Sequence, residues 1–420
     1  MESDRHILFV ELARGRGGST ECLQSLAQMC LSRGWRTSVA LGYPVPELER
    51  HLSAGDVLRL YAHPAYRLGL KLRGVSRPPG QSRGRAASIA TFLAAGITTD
   101  LPLAGVLARY ARRHEVDLIH ANNELLVNRV AILAGQLAHL PVVSHQRGWA
   151  FPSRMTRLLG RWTDRVIAIS DYVVGTLMEA GIPTEKVRRV YDGVECARFA
   201  AADRRRDDAR RALGFAPDDE VIGLPAVLTP WKGHAMFLRA FARVARRRLR
   251  VRALIVGGSP SNTADLAPAL REQIAELGFG ERVHLTGHVD GMADMYAAMD
   301  LVVHASQRPE PFGLVVVEAM AAARAVVAAD AGGPAEIIRH GHDGWLYPMG
   351  DGEALATALM HVLEDPTLRV NLARRAPDRA RCFDLSINHR AILALYDQLL
   401  SESAWAQSTL MGVTEGPAPP

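Results

Sequence analysis

Short apolar runs alternate with helix-period stretches along most of this chain, and that rhythm limits the folds open to it more than any other feature. Residues 7–12, 37–41, 116–122, 141–145, 165–170 and 186–191 read as strands. Several are apolar on both faces, the pattern of a parallel sheet covered on both sides. Between them, 21–32, 101–114, 125–139, 153–162 and 171–180 repeat apolar residues at helical spacing, with Ser170 placed to cap the last. Parallel neighbours need a crossover, and a helix supplies it. The rhythm breaks within 197–217, where A-D-R-R-R-D-D-A-R-R is densely charged. It restarts with strands 221–224, 252–256, 282–285, 301–304 and 326–329, and with helices 235–247, 265–277, 292–298 and from 351 onward. The prediction is an α/β chain of two doubly wound domains, 1–196 and 197–384. A helix over 387–400 follows, then a disordered tail over 404–420 ending E-G-P-A-P-P.

At 420 residues the chain is long enough for two such cores. A net charge of +6 is too modest, in an arginine- and alanine-rich composition, to imply a nucleic-acid partner. The opening M-E-S-D-R-H-I-L-F-V reads as neither signal peptide nor anchor. The most apolar window, 86–108, carries Ser88, Thr98, Thr99, Asp100 and Pro102 and does not read as a membrane span. Cys22, Cys30, Cys196 and Cys382 have no zinc spacing, and the default reading is a reducing cytoplasm. One stretch, 67–85, has six basic residues and no acid, with glycine and proline between them. It reads either as a solvated basic loop or as a contact for an anionic acceptor or membrane face, which leaves a peripheral place at the inner membrane open.

The opening βαβ carries A-R-G-R-G-G-S-T. Gly15 and Gly17 fit the start of a dinucleotide fingerprint, but Thr20 holds the third glycine position and no acid follows the second strand, so a nicotinamide site is not expected. The most specific stretch is R-P-E-P-F-G-L-V-V-V-E, Arg308 to Glu318. A helix starting near Gly313 would present unpaired amides and a positive dipole end, which suits phosphate. Glu318 then falls about a turn and a half along, within reach of ribose hydroxyls, and Glu310 on the preceding loop can reach a sugar.

Glu310, Phe312, Gly313, Glu318, Ala319, Met320, Gly332, Gly333 and Glu336 resemble, at family spacing, the retaining glycosyltransferases of the GT-B fold with an E-x7-E signature (glycosyltransferase family 4, glycosyl transferases group 1). V-V-S-H-Q-R, A-I-S-D, Y-D-G-V-E (Asp192 standing where the family has asparagine) and W-K-G-H extend the resemblance. It implies two Rossmann-like domains facing each other across a cleft, the first binding the acceptor and the second a nucleotide-sugar, with 385–403 crossing back to the first. By resemblance His145 bonds the donor sugar beside the anomeric carbon, although a strand-end histidine can also be structural. Lys232 answers the charge of the diphosphate and Glu310 holds the sugar. Phe312, Gly313, Leu314 and Glu318 line the donor, and Gly17 and Gly18 form either the family's glycine-rich loop or a plain tight turn. Asn122 and Arg147 are candidates for acceptor contact, and His120 is a weaker candidate for the site.

Three positions depart from the family. Ala226-Val227-Leu228 stands where a second cation, arginine, is usual, which weakens the expected grip on the diphosphate. Ala323 and Ala325 replace a glycine and a proline and read as packing variants. With no D-x-D triplet, no metal and no other cofactor are expected. The expected activity is transfer from a UDP-sugar, before a GDP-sugar, to a hydroxyl of a saccharide, lipid-linked or small-molecule acceptor. A sugar-nucleotide 2-epimerase and a nucleotide-sugar binder of weak activity are the alternatives.

Overall fold

A computed structural model of the chain describes residues 5–12, 18–50, 52–72, 96–260 and 264–410. Two compact units divide it: residues 1–190 with 389–420, and residues 191–388.

The N-terminal unit is built on seven parallel strands: β1 (His6–Glu11), β2 (Arg36–Leu41), β3 (Val57–Arg59), β4 (Leu118–Asn122), β5 (Val142–Gln146), β6 (Arg165–Ala168) and β7 (Val187–Arg189). Their order is β3-β2-β1-β4-β5-β6-β7. β1, β4 and β5 are buried at every position, as strands sandwiched between two helix layers must be. The order reverses direction between β1 and β4, so the crevice beyond their carboxyl ends is the place where such a sheet accepts ligands. Register aligns three polar ends there, Glu11 opposite Asn122 and Asn122 opposite His145.

The C-terminal unit repeats the plan with six parallel strands: β8 (Glu220–Pro225), β9 (Val251–Val256), β10 (Val283–Leu285), β11 (Leu301–His304), β12 (Ala325–Ala329) and β13 (Trp345–Tyr347), ordered β10-β9-β8-β11-β12-β13. Its reversal falls between β8 and β11, and the loops leaving those two strands carry Lys232 and Glu310.

Elements appear where capping and patterning lead. Ser153 and Ser170 accept from the amides of Thr156 and Val173 and open the helices Arg154–Trp162 and Asp171–Glu179. The expected helix over 125–139 starts later, at Arg129. Leu125 gives its amide to the Gln146 side chain, and the Asn128 amide holds the Ala121 and Asn123 carbonyls, which fixes 125–128 as a turn. The edge strands β3 and β13 were not expected, because three residues carry no readable period. Pro64–Leu72 is a helix, so the first part of the basic stretch 67–85 is not loop; Pro64 supplies the preset φ of a first helical residue, and 73–95 lie outside the described residues.

The final helix runs Leu385–Leu410 and corrects the expected tail from 404. No glycine or proline interrupts 385–410, and Glu402 is held by both Arg165 and Gln398. Beyond 389 this helix belongs to the N-terminal unit, where Ile392, Leu393, Leu395, Tyr396 and Leu399 join the core with Phe9, Leu118, Val143 and Ile167. No helix among the described residues is long and apolar enough to cross a membrane.

Candidate active site

In the C-terminal unit, β11 ends at His304, and the chain then doubles back so that Glu310 returns to that strand end. Its Oε2 accepts from Lys232 Nζ at 2.6 Å and from Ser306 Oγ at 2.9 Å, and lies 3.3 Å from His304 Nε2. Burial alone would raise the Glu310 carboxyl. The charge of Lys232 and the His304 contact outweigh it and hold the group down at about 2. Lys232 also lies over the Trp231 ring, 4.2 Å from its centre. An ammonium offers three protons, and Glu310 takes one.

The loop of Glu310 is held by backbone. Gly333 N donates to Glu310 O at 2.8 Å, and a Cβ on Gly332 or Gly333 would overlap the Glu310 or Phe312 backbone, so both positions need glycine for close approach. Gly313, at φ +103, then caps the helix Leu314–Ala321; Val316 N donates to Gly313 O at 2.9 Å, and the Leu314 and Val315 amides ahead of it have no intrahelical acceptor. Glu318 sits farther along this helix, and its Oε2 accepts from the Tyr296 hydroxyl at 2.7 Å. Burial first, then the nearby Glu318, push the Tyr296 phenol well above its ordinary value, so it stays a donor.

The N-terminal unit places a second polar cluster at the carboxyl ends of β1, β4 and β5. The buried Glu11 carboxylate accepts from the side-chain amides of Asn122 and Asn123, the latter at 2.6 Å. Asn123 is left-handed at φ +85, a conformation asparagine tolerates better than most residues and one that turns its amide back onto Glu11. Arg147 Nε donates to Asn122 Oδ1 at 2.7 Å, and its Nη2 lies 3.4 Å from His145 Nδ1. Burial, then Arg147, hold His145 well below the ordinary imidazole range, so it is neutral at pH 7. His120 is lowered to about 3 by the same causes and meets the Tyr396 hydroxyl at 2.6 Å.

Comparison with known proteins gives the family. Glycosyltransferase Family 4 matches residues 16–198, and Glycosyl transferases group 1 matches residues 205–379. A lipopolysaccharide core biosynthesis mannosyltransferase LpcC of Rhizobium leguminosarum bv. viciae is 32% identical over 74% of this chain and 88% of its own. The chain belongs to glycosyltransferase family 4. A D-inositol 3-phosphate glycosyltransferase of Rhodococcus erythropolis is 31% identical over 84% of this chain and 82% of its own. Among solved structures, Anabaena Alr3699/HepE in complex with UDP and glucose is 27% identical, covers 94% of this chain and 100% of its own, and superposes with a TM-score of 0.73. The protein is thus a glycosyltransferase of GT-B fold.

Of the residues read from the sequence, Lys232 and Glu310 are in direct contact, and Gly313, Leu314 and Glu318 share the next helix and its cap. The Phe312 ring is 2% exposed and packs on Tyr191 and Phe383. Gly18 is the first residue of the helix Gly18–Ser32, and Gly17 lies outside the described residues. His145, Arg147 and Asn122 form one hydrogen-bonded row in the N-terminal unit. The sequence reading missed His304, Ser306 and Tyr296, which hold the two glutamates, and Glu11 and Asn123. An acid closing the apolar run of β1, which burial there would leave costly unless paired, was the signal for Glu11.

Proposed function

We propose that this family 4 glycosyltransferase moves a sugar from a nucleotide-sugar, UDP-linked before GDP-linked, to a hydroxyl of a saccharide, lipid-linked or small-molecule acceptor, with retention and without a metal. The observation that carries this reading is the Lys232–Glu310 pair standing ahead of the open amides of Leu314–Ala321. In it, Lys232 keeps one proton on Glu310 and turns the others to the diphosphate, where negative charge grows as the glycosidic bond breaks. The helix amides take a phosphate oxygen, ionised Glu310 accepts from a sugar hydroxyl, and Glu318, steadied by Tyr296, accepts from the ribose. Neutral His145 and the row around Arg147 serve the sugar and acceptor side. The UDP and glucose bound by Alr3699/HepE favour the uridine donor.

Val227 tempers the expected rate. It is 45% exposed on the loop before Lys232 and supplies no cation for the diphosphate, which keeps a nucleotide-sugar binder of weak activity as the second reading. The test is a thermal-shift screen of UDP- and GDP-sugars, followed by transfer assays with and without EDTA. A matched donor at a hundred times its Kd stabilises by about 2.7 kcal/mol. Transfer is expected to persist in EDTA and to fall at least a hundredfold in Glu310→Gln. No stabilisation by any nucleotide-sugar, or an E310Q variant as active as the parent, would refute the assignment.

A further inference from the structure

Glu11 closes β1 in the N-terminal unit and is 1% exposed, and register sets it beside the ends of β4 and β5. A buried carboxylate needs hydrogen-bond donors. Two of its partners are side-chain amides, Asn122 Nδ2 on Oε2 and Asn123 Nδ2 on Oε1. An asparagine amide can face either way, but here the choice is dictated. A carboxylate only accepts, so Asn122 gives it the NH2 group and turns Oδ1 to the other side. There Arg147 Nε, which only donates, meets Oδ1 at 2.7 Å. That bond sets the guanidinium plane, whose Nη2 lies 3.4 Å from His145 Nδ1. Arginine has no acceptor, so Nδ1 presents its lone pair and the neutral imidazole keeps its proton on Nε2. His120 packs edge-on against the same ring, 5.4 Å between centres, and is itself held by the Tyr396 hydroxyl.

We infer that Glu11 is a positioning residue: through Asn122 and Arg147 it fixes the His145 ring as the Nε2–H tautomer, the form able to donate to a hydroxyl of the donor sugar, a role that rests on the reading of His145 as a contact of that sugar. An acid that only closed β1 would be satisfied by any two donors. This row is polar in one sense, because turning the Asn122 amide around sets its NH2 against the Arg147 N–H. Glu11→Gln offers one acceptor oxygen to two amides, so either Asn122 or Asn123 must face an NH2 group. If Asn122 turns, the guanidinium loses its seat and releases His145. Asn123→Asp then restores the match, since its carboxylate accepts from the new amide and aspartate, like asparagine, tolerates the left-handed φ of +85.

The test is 15N NMR of the histidine rings in the full chain at pH 7 without ligand, the His145 signals being those that vanish in His145→Gln. The parent should show a protonated Nε2 and a bare Nδ1. E11Q should mix the two tautomers, and E11Q/N123D should return the parent pattern. Affinities for UDP-glucose, UDP-galactose and GDP-mannose are measured beside those for UDP and GDP. For the nucleotide-sugar that the parent binds best, E11Q should lose about tenfold and the double variant should recover most of it, with the nucleoside diphosphate alone unaffected throughout. The unfolding midpoint of each variant is measured alongside. Should E11Q not fold, R147K at the half-buried position decides in the same way, because an ammonium cannot span Asn122 and His145 with one planar group. A parent proton on Nδ1, a folded E11Q with the parent's ring signals, or a double variant no better than E11Q would overturn the inference. If the parent binds none of these nucleotides, the donor reading fails by itself, and the ring signals still decide what Glu11 does.

Discussion

Glu310 is ionised in a place that burial alone would make unfavourable, and its charge depends on Lys232. Its folded pKa of about 2 lies below its ordinary 4.5, so ionisation stabilises the fold above pH 4.5, and that support is lost as pH falls from 4.5 toward 2. Lys232→Met leaves the carboxylate buried without its main counter-charge. It should cost about 3 kcal/mol at pH 7 and raise the Glu310 pKa. The penalty should shrink by pH 3, where the variant's carboxyl is protonated and the parent is beginning to lose its own support. Urea unfolding of both proteins at pH 7 and pH 3 measures this, and an equal difference at the two pH values would contradict it. Lys232 and Glu310 could be read from the sequence because each sits in a dense local motif. His304 and Ser306 could not, since a histidine and a serine near a strand end are ordinary until the chain doubles back and brings Glu310 onto them.

The helix Leu314–Ala321 shows why substitution patterns alone mislead about an element. Ala322 N and Ala323 N donate to Glu318 O and Met320 O, and Ala323 then turns left-handed at φ +55 to end the helix. Read from the sequence, Ala323 in place of glycine is a packing variant; the backbone shows instead that it bears a conformational cost, because a Cβ disfavours this region by about 1–2 kcal/mol. Arg324 fixes the turn, its Nε donating to Ala322 O at 2.8 Å and its Nη1 to Met299 O at 3.1 Å. Ala323→Gly relieves the strain but also frees the unfolded chain, which recovers part of the gain for the unfolded state. A net stabilisation of about 0.5–1 kcal/mol is expected from chemical denaturation, with the denaturant slope unchanged, and a loss of stability would count against the strained turn. Helix and strand order was legible because apolar period survives in long elements. β3 and β13 escaped because pairing along an edge, not pattern, makes three residues into a strand.

At the scale of the whole chain, two sheets of parallel strands were legible in the alternation itself, since parallel neighbours leave a covalent chain little choice but a helix between them, whereas the strand order they share was not. What the alternation does not reveal is how far the last helix matters to the first unit. Ile392, Leu393, Leu395, Tyr396 and Leu399 are each 6% exposed or less and complete a core whose strands lie more than 200 residues earlier, and the Tyr396 hydroxyl meets buried His120. Tyr396→Ala should therefore cost about 3–5 kcal/mol, from the cavity it opens and the orphaned His120 nitrogen. Tyr396→Phe keeps the ring and should cost only about 1–3 kcal/mol. A chain ending at 388 loses all five side chains, and hydrogen exchange should show β1, β4 and β5 unprotected while β8, β11 and β12, in the unit 191–388, keep the protection they have in the full chain. If β1 and β4 stayed as protected in the truncated chain as in the parent, the first unit would be stable without this helix, and the packing of Tyr396 would be incidental to it.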